Sequence, residues 1–455
     1  MLGLAVAAGV AVRFVRLGTL SMSADEGASW AVANQPVSRL LKIQPQLDSG
    51  KLALYHLILH YWIGIFGDSL QSIRGLSAAI GSVTIVVIFV VVRELCNLFS
   101  DQQRKSAEIA AGFAALIFAI NVGFVESARS ARMYPLMTAA ELAQILFFLR
   151  AHRIPSISNC ALAAVFLAAA IASNFTAALL VVGEGIWICY LLTARWRDWP
   201  GARLRIIRPA LSLVAGLALL LPCFPGALAA SQAAVTGGAI DWIRSQSPLS
   251  WSYDVLRKSA SNRSLFRILL ALAVFGIWRY RNKAILAPIF MITLMIGAFA
   301  PVAILSMLGR PMMVDRYVAL APIGFLVLAA LGAAEFRSRM GTVLLFFLIV
   351  WLSARALKHS SGFWVDWRGA AEIACANSSS YAQIGVIPEY AVNVVRYHLP
   401  PQRRALVSGI NSRCGDSQIL ILNPAGFIPV RYLSELNGCY PHLLGRATRI
   451  EVRGR

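Results

Sequence analysis

Eleven stretches of this chain run for roughly 16–23 residues with few or no charges, and that repetition is the strongest constraint on its fold. An apolar stretch of about 20 residues is the length at which a helix crosses the hydrocarbon of a bilayer. The runs are 2–20, 73–95, 107–122, 134–150, 158–173, 176–194, 208–225, 264–279, 284–305, 317–334 and 341–357. The chain of 455 residues is 58% apolar and only 14% charged, far from a soluble domain, a disordered chain or a disulfide-stapled module. The reading is a polytopic α-helical membrane protein with about eleven spans. Met1–Val12 lacks a basic leader region, so the first run reads as a retained span.

The formal charge is +21, carried mostly by arginine. Nucleic acid is a poor explanation, because the basic residues sit in short breaks between apolar runs. They read as topology signals and as contacts to anionic lipid or phosphate. Loops 96–106, 150–157, 195–208, 279–283 and 335–340 hold 14 Lys/Arg in 44 residues. The opposite set, 21–72, 122–133, 174–175, 226–262 and 306–316, holds 10 in 114. The first set and the N-terminus are therefore expected in the cytoplasm. Arg13, Arg16 and the basic tail oppose this, but long translocated domains largely escape the rule.

Three segments then face outward. In loop 21–72, Leu52–Phe66 is apolar with interspersed aromatic and histidine residues; too short to span, it reads as an interfacial helix. Loop 226–262 bears Trp242 and Trp251, suited to the lipid surface. The tail 358–455 alternates helical and strand patterns. Within it, a helix is expected over Trp367–Ala376 with Asp366 as N-cap, and another over Glu389–His398. Buried strands are expected at Ile384–Ile387 and Ile419–Leu422. The domains are thus 1–357, a transmembrane domain with outer loops 21–72, 122–133 and 226–262, and 358–455, a small α/β domain. Cys375, Cys414 and Cys439 in the tail permit one disulfide at most, and only in an oxidising compartment.

Charged residues beside the membrane carry the chemistry or the folding. Asp25-Glu26 follows the first run; the pair is either a base with a cation- or ligand-orienting partner, or two first-turn acids favoured by the helix dipole. Glu126, Arg129 and Arg132 follow at i, i+3, i+6, one polar stripe if helical, with Tyr134 close behind. That stripe either holds a phosphate through its guanidinium forks or satisfies itself as an ion pair. Lys51, after Asp48-Ser49-Gly50, suits a point-charge contact to phosphate, or simply snorkels. Arg74 opens the second run, and Arg316-Tyr317, after Asp315, opens the tenth. His56 and His60 are spaced i, i+4, yet no third metal ligand is near. Phosphate-binding glycine loops, Walker lysines and nucleophile elbows are absent from the sequence.

In this order the motifs resemble the C-type-fold (GT-C) membrane glycosyltransferases that use polyprenyl-phosphate sugars, in particular the protein mannosyltransferase, aminoarabinose transferase and galacturonic acid transferase relatives. The resemblance runs through Asp25-Glu26, GKLALYHLILHYWIGIFGDSLQSIRGLSAAIG at 50–81, Glu126 with Arg132-Met133-Tyr134, Arg316-Tyr317 and Asp366-Trp367-Arg368. Where many such relatives carry a Pro-Pro pair, this chain has Lys51-Leu52-Ala53. The resemblance implies a polyprenyl-phosphate sugar donor, a lipid, glycan or protein acceptor, and inverting transfer on the outer face of the cytoplasmic membrane. Asp25, Glu26 and Glu126 would be catalytic, with Asp25 the base. Lys51, Arg74, Arg132, Tyr134, Arg316 and Tyr317 would hold the donor phosphate. It leaves a divalent cation open, with Asp25, Glu26, Glu126 and His56 as candidate ligands, and implies no nucleotide cofactor and no nucleic acid partner. Two other classes compete: a lipid-linked sugar transporter, to which mid-run Glu141 and Glu184 are relevant, and a non-catalytic envelope assembly protein.

Overall fold

The fold is taken from a computed structural model of the whole chain. It describes residues 1–99, 104–195, 202–228, 246–260, 262–281, 285–310, 312–336, 338–359, 365–377, 382–409, 419–423 and 439–454, with positions 232, 243, 379 and 417. Trp242 and Cys414 lie outside the described residues.

Every one of the apolar runs falls on helix. Among the described residues, five helices are long and apolar enough to cross a membrane: Leu70–Leu98, Phe175–Thr193, Arg203–Leu228, Leu286–Met307 and Met340–Leu357. Counting each bent pair as one span makes up to seven, fewer than the eleven expected. Three of the four missing runs are short, while the fourth lies on Tyr134–Arg153, which is 20 residues long. Leu2–Phe14, Ile157–Ser173 and Leu320–Ala334 are apolar helices of 10–17 residues, shorter than a straight crossing of about 30 Å requires.

Backbone contacts divide the chain into two compact units. The first comprises Met1–Val15, Ser49–Tyr55 and Gly75–Ser360. Its core is built around Leu320–Ala334, in which every residue is buried. That helix packs on Arg263–Tyr280, Leu286–Met307 and Arg104–Ile120. Gly276 and Gly332 let two of these backbones touch: a Cβ on Gly276 would stand 2.8 Å from the Gly332 nitrogen. Close approach through small residues is how helices gain packing energy where water supplies no hydrophobic force.

Some polar groups inside this unit bond to the backbone or to one another across helices. Arg13, fully buried, donates to the carbonyls of Gly9 and Ala119 at 3.0 and 2.6 Å. Glu184 accepts from Gln144 Nε2 at 2.8 Å, joining Leu179–Tyr190 to Tyr134–Arg153. The 107–122 run breaks at Asn121, which caps a second helix, Val122–Ala128, bent by 59° from the first.

The second unit comprises Arg16–Asp48, His56–Arg74 and Ser361–Arg455. It takes in most of the outer loop 21–72 along with the tail. The tail builds a five-stranded sheet ordered β2-β1-β3-β5-β4, from β1 (Ile384–Ile387), β2 (Val407–Gly409), β3 (Ile419–Leu422), β4 (His442–Ala447) and β5 (Ile450–Gly454). The β1 strand runs parallel to β2 and β3, pairing Ile384 with Val407 and Ile419, while β5 is antiparallel to β3 and β4. As buried strands should, β1 and β3 are buried at every residue. Trp367–Ala376 is helical, with the Asp366 side chain accepting from the Gly369 amide. The expected Glu389–His398 helix is a 3₁₀ turn, Glu389–Ala391, continuing into Val392–His398. Cys375 is a free thiol, and Cys439 is disulfide-bonded.

Candidate active site

Residues that the sequence singles out fall in both units. In the second, Ser23 caps the helix Ala24–Ala33: its hydroxyl accepts from the Glu26 amide at 3.3 Å, and Glu26 Oε2 accepts from the Ser23 amide at 2.8 Å. This capping box places Asp25 and Glu26 in the first turn, where the dipole favours negative charge. The two acids then diverge. Asp25 is exposed, whereas Glu26 is fully buried.

Glu26 meets Arg74, whose Nε and Nη2 donate to its two oxygens at 2.8 and 2.9 Å. Arg74 Nη1 donates to the Leu17 and Leu20 carbonyls at 2.9 and 3.0 Å, and Nη2 also to Ser21 at 3.0 Å. These bonds use all five N–H donors of a guanidinium. Arg74 is thus a clasp on the 17–21 turn with its five donors engaged, whereas the resemblance implies a contact to the donor phosphate. Glu26, a capping residue inside that clasp, is likewise turned away from solvent.

The same turn is held by the tail. His398 Nε2 accepts from the Met22 amide at 3.4 Å, and Arg368 donates from its amide to Ser21 Oγ at 3.1 Å and from Nη2 to the Gly18 carbonyl at 3.2 Å. Burial, with Arg368 next, pushes the His398 imidazole down to about 4. A neutral ring is what an accepting Nε2 requires.

His56 pairs with an acid of its own unit. It is buried, with Nε2 3.1 Å from Asp48 Oδ2. Among the described residues, no three His, Cys, Asp or Glu side chains are grouped to hold a metal ion.

In the first unit, the expected stripe of Glu126, Arg129 and Arg132 breaks. The helix ends at Ala128, Arg129 is its C-cap, and a new helix starts at Tyr134 with Pro135 in its first turn. Pro135 suits the start of the second helix, since a helix's first turn has no need of its missing N–H. Arg132 is buried in the turn, and its carbonyl accepts from Ser77 Oγ at 3.0 Å.

Glu126 and Tyr134 nevertheless reach the same place. With Lys258, Asp315 and Arg316 they line a cavity of about 380 Å³, completed by Asn121, Thr138 and neighbouring apolar residues. Lys258 Nζ lies 2.7 Å from Asp315 Oδ2, with both side chains about half exposed. The lining does not take in Lys51, Arg132 or Tyr317. Lys258 was not singled out from the sequence. It ends the helix Pro248–Ser259 and is one of only six lysines, and that scarcity was the available signal. Two cations, two acids and a phenol around a space of this size can hold an anionic head group and orient hydroxyls.

A second cavity, about 470 Å³, is lined almost wholly by apolar side chains, among them Leu52, Ile171, Phe175, Leu217, Leu220 and Phe224. The Lys51-Leu52 strap beside it, the place of the departure from Pro-Pro, is pinned by backbone bonds. Leu52 donates to Ala172 at 3.0 Å, and Phe175 donates to Gly50 at 3.1 Å. Lys51 itself is buried in this strap.

Comparison with known proteins agrees with this architecture. Residues 53–225 match the dolichyl-phosphate-mannose-protein mannosyltransferase family. The structure is similar to that of ArnT from Cupriavidus metallidurans bound to undecaprenyl phosphate, with a TM-score of 0.62 and 13% identity over 99% of this chain and 97% of that one. The chain has the C-type glycosyltransferase fold. Within that fold it is also similar to the archaeal oligosaccharyltransferase AglB from Archaeoglobus fulgidus in complex with an inhibitory peptide and a dolichol-phosphate. There the TM-score is 0.56 and the identity 10%, over 87% of this chain and 62% of that one. No curated protein sequence matches the chain. The family match takes in Arg74, Glu126, Arg132 and Tyr134 of this glycosyltransferase fold, while Asp25, Lys51, Lys258 and Arg316 lie outside it.

Proposed function

We propose that the protein is an inverting glycosyltransferase that moves a sugar from a polyprenyl-phosphate donor to a hydroxyl on the outer face of the cytoplasmic membrane. The observation that carries this reading is the cavity where Lys258 and Arg316 stand with Glu126 and Tyr134. A lipid-linked sugar phosphate needs cations for its phosphate, polar groups for its sugar and an apolar bed for its chain. The apolar cavity beside Leu52 offers that bed within the same unit. Undecaprenyl phosphate and dolichol-phosphate, bound by the structurally similar ArnT and AglB, are lipids of this class. The disulfide at Cys439 fits a tail in an oxidising compartment.

In the reaction, Asp25 takes the proton of the acceptor hydroxyl as that oxygen bonds to the anomeric carbon. The bond from that carbon to the phosphate oxygen breaks, and its electron pair leaves with the polyprenyl phosphate. The leaving phosphate gains charge, which Lys258 and Arg316 stabilise. Glu126 and Tyr134 orient the sugar. Of the adjacent acids, Asp25 is the better base because it faces solvent while Glu26 is held by Arg74.

Purified protein in detergent, given labelled polyprenyl-phosphate sugar and an envelope extract, is expected to release polyprenyl phosphate. Asp25→Asn should lower that rate by about 10²–10⁴-fold, the contribution of a general base, with expression and membrane insertion intact. Turnover of the variant at the native rate would reject the assignment, and donor moved across vesicles without cleavage would make the protein a transporter.

A further inference from the structure

The tail covers one face of the helix that carries Asp25. Gly27, two residues after that acid, lies against the tail helix Val392–His398: a Cβ here would stand 2.7 Å from the Val394 nitrogen. One turn on, Trp30 meets Tyr397 edge-on, with ring centroids 5.2 Å apart. Both then close on one residue, Trp30 Nε1 donating to Asp68 Oδ2 at 3.4 Å and the Tyr397 hydroxyl to the Asp68 carbonyl at 3.0 Å. The tail helix is thereby locked along Ala24–Ala33, and the turn before it, Glu389–Ala391, packs against the same helix.

That turn presents Tyr390, 56% exposed, so the ring is not a core residue. Asp25 is exposed as well. Partial burial and the charge of Asp25 hold the Tyr390 phenol above the usual tyrosine range, which puts ring and carboxylate in one electrostatic neighbourhood. An aromatic face beside an acid suits one ligand chemistry well. A pyranose lays its C–H face on the ring while its hydroxyls reach the carboxylate. A peptide hydroxyl needs the acid but has no flat apolar face to bring.

We propose that Tyr390 is the binding platform for the acceptor, and that the acceptor hydroxyl belongs to a sugar ring of a glycan or glycolipid. The inference rests on the reading of Asp25 as the base. It assigns the tail a substrate-binding role, which neither the fold comparison nor the membrane-embedded residues supply.

The test titrates full-length protein in detergent with methyl glycosides of a hexose, a hexosamine and a hexuronic acid, and with a Ser/Thr-rich peptide, in parallel with transfer assays. At least one glycoside should bind, and Tyr390→Ala should weaken that binding and raise the acceptor KM by about three- to tenfold, the scale of one aromatic contact, with kcat and thermal stability held. Tyr390→Phe should recover most of the loss, since the face and not the hydroxyl does the work. Binding that needs a glycolipid in place of the free glycoside supports the same platform with a lipid-borne acceptor. Glycoside binding indifferent to Tyr390→Ala, equal loss in Tyr390→Phe, or a peptide bound and glycosylated where no glycoside binds, would each overturn the inference. If no acceptor yields polyprenyl phosphate yet glycoside binding still depends on the ring, the transfer reading fails and the platform stands.

Discussion

Glu26–Arg74 in the second unit and Lys258–Asp315 in the first are the same chemistry in opposite surroundings. The first pair is buried, with side chains 0% and 2% exposed, and its guanidinium is saturated by two carboxylate oxygens and three backbone carbonyls. The second is 57% and 43% exposed and faces a cavity. Burial makes a charge pair a folding device, because each charge is tolerated only with every bond made. Exposure makes such a pair nearly neutral for stability and leaves it able to exchange partners with an anionic ligand.

The comparison breaks most readily at Arg74. Arg74→Ala leaves Glu26 buried without its partner and is expected to cost about 3–5 kcal/mol, seen as loss of folded protein in detergent; Lys cannot rebuild the five-bond fork. Asp315→Asn, at the exposed pair, should shift stability by less than about 1 kcal/mol. Equal thermal shifts in the two variants would erase the distinction.

Lys258→Ala sharpens the comparison from the functional side. It should lower transfer by roughly 10²-fold, the scale of one removed donor to a developing oxyanion, while thermal stability stays near native. A variant that unfolds but, when folded, turns over normally would move Lys258 to the structural class.

A separate test is the effect of pH on the second unit. His398 titrates at about 4 in the fold against an ordinary 6.5, so between these values the unfolded chain binds the proton and the folded chain does not. Stability from this group is complete above pH 6.5 and falls as pH drops towards 4, by roughly 3 kcal/mol at most. Thermal unfolding from pH 7.5 to 4.5 should show that slope, and His398→Asn should flatten it.

Much of the fold was legible because it is written in local periodicity. The apolar runs, the Asp366 cap and strands β1 and β3 are patterns within a few residues of themselves, and each is found where expected. Legibility failed where length or distance decided. The 317–334 run reads as a span; its helix, Leu320–Ala334, has only 15 residues, all buried. The β4–β5 hairpin was missed because β4 is mostly exposed and carries no alternating burial pattern. In the cavity of the first unit, Glu126, Tyr134 and Arg316 were visible as charges and aromatics beside apolar runs. Arg74 was visible too, and misread, since its three carbonyl partners lie 53–57 residues away. Lys258 was overlooked because the residue that pairs with it, Asp315, is 57 positions on.

By itself the sequence determined the solvent of this protein. Apolar runs of membrane length commit the chain to helices, because backbone groups in hydrocarbon must bond within their own segment. It also determined which few charged residues stand beside the membrane. Only the tertiary structure decided what each of those charges does, since a charge is spent or spared according to the acceptors that folding brings to it. Folding brings Glu26 and three carbonyls to Arg74, and an open cavity to Lys258 and Arg316.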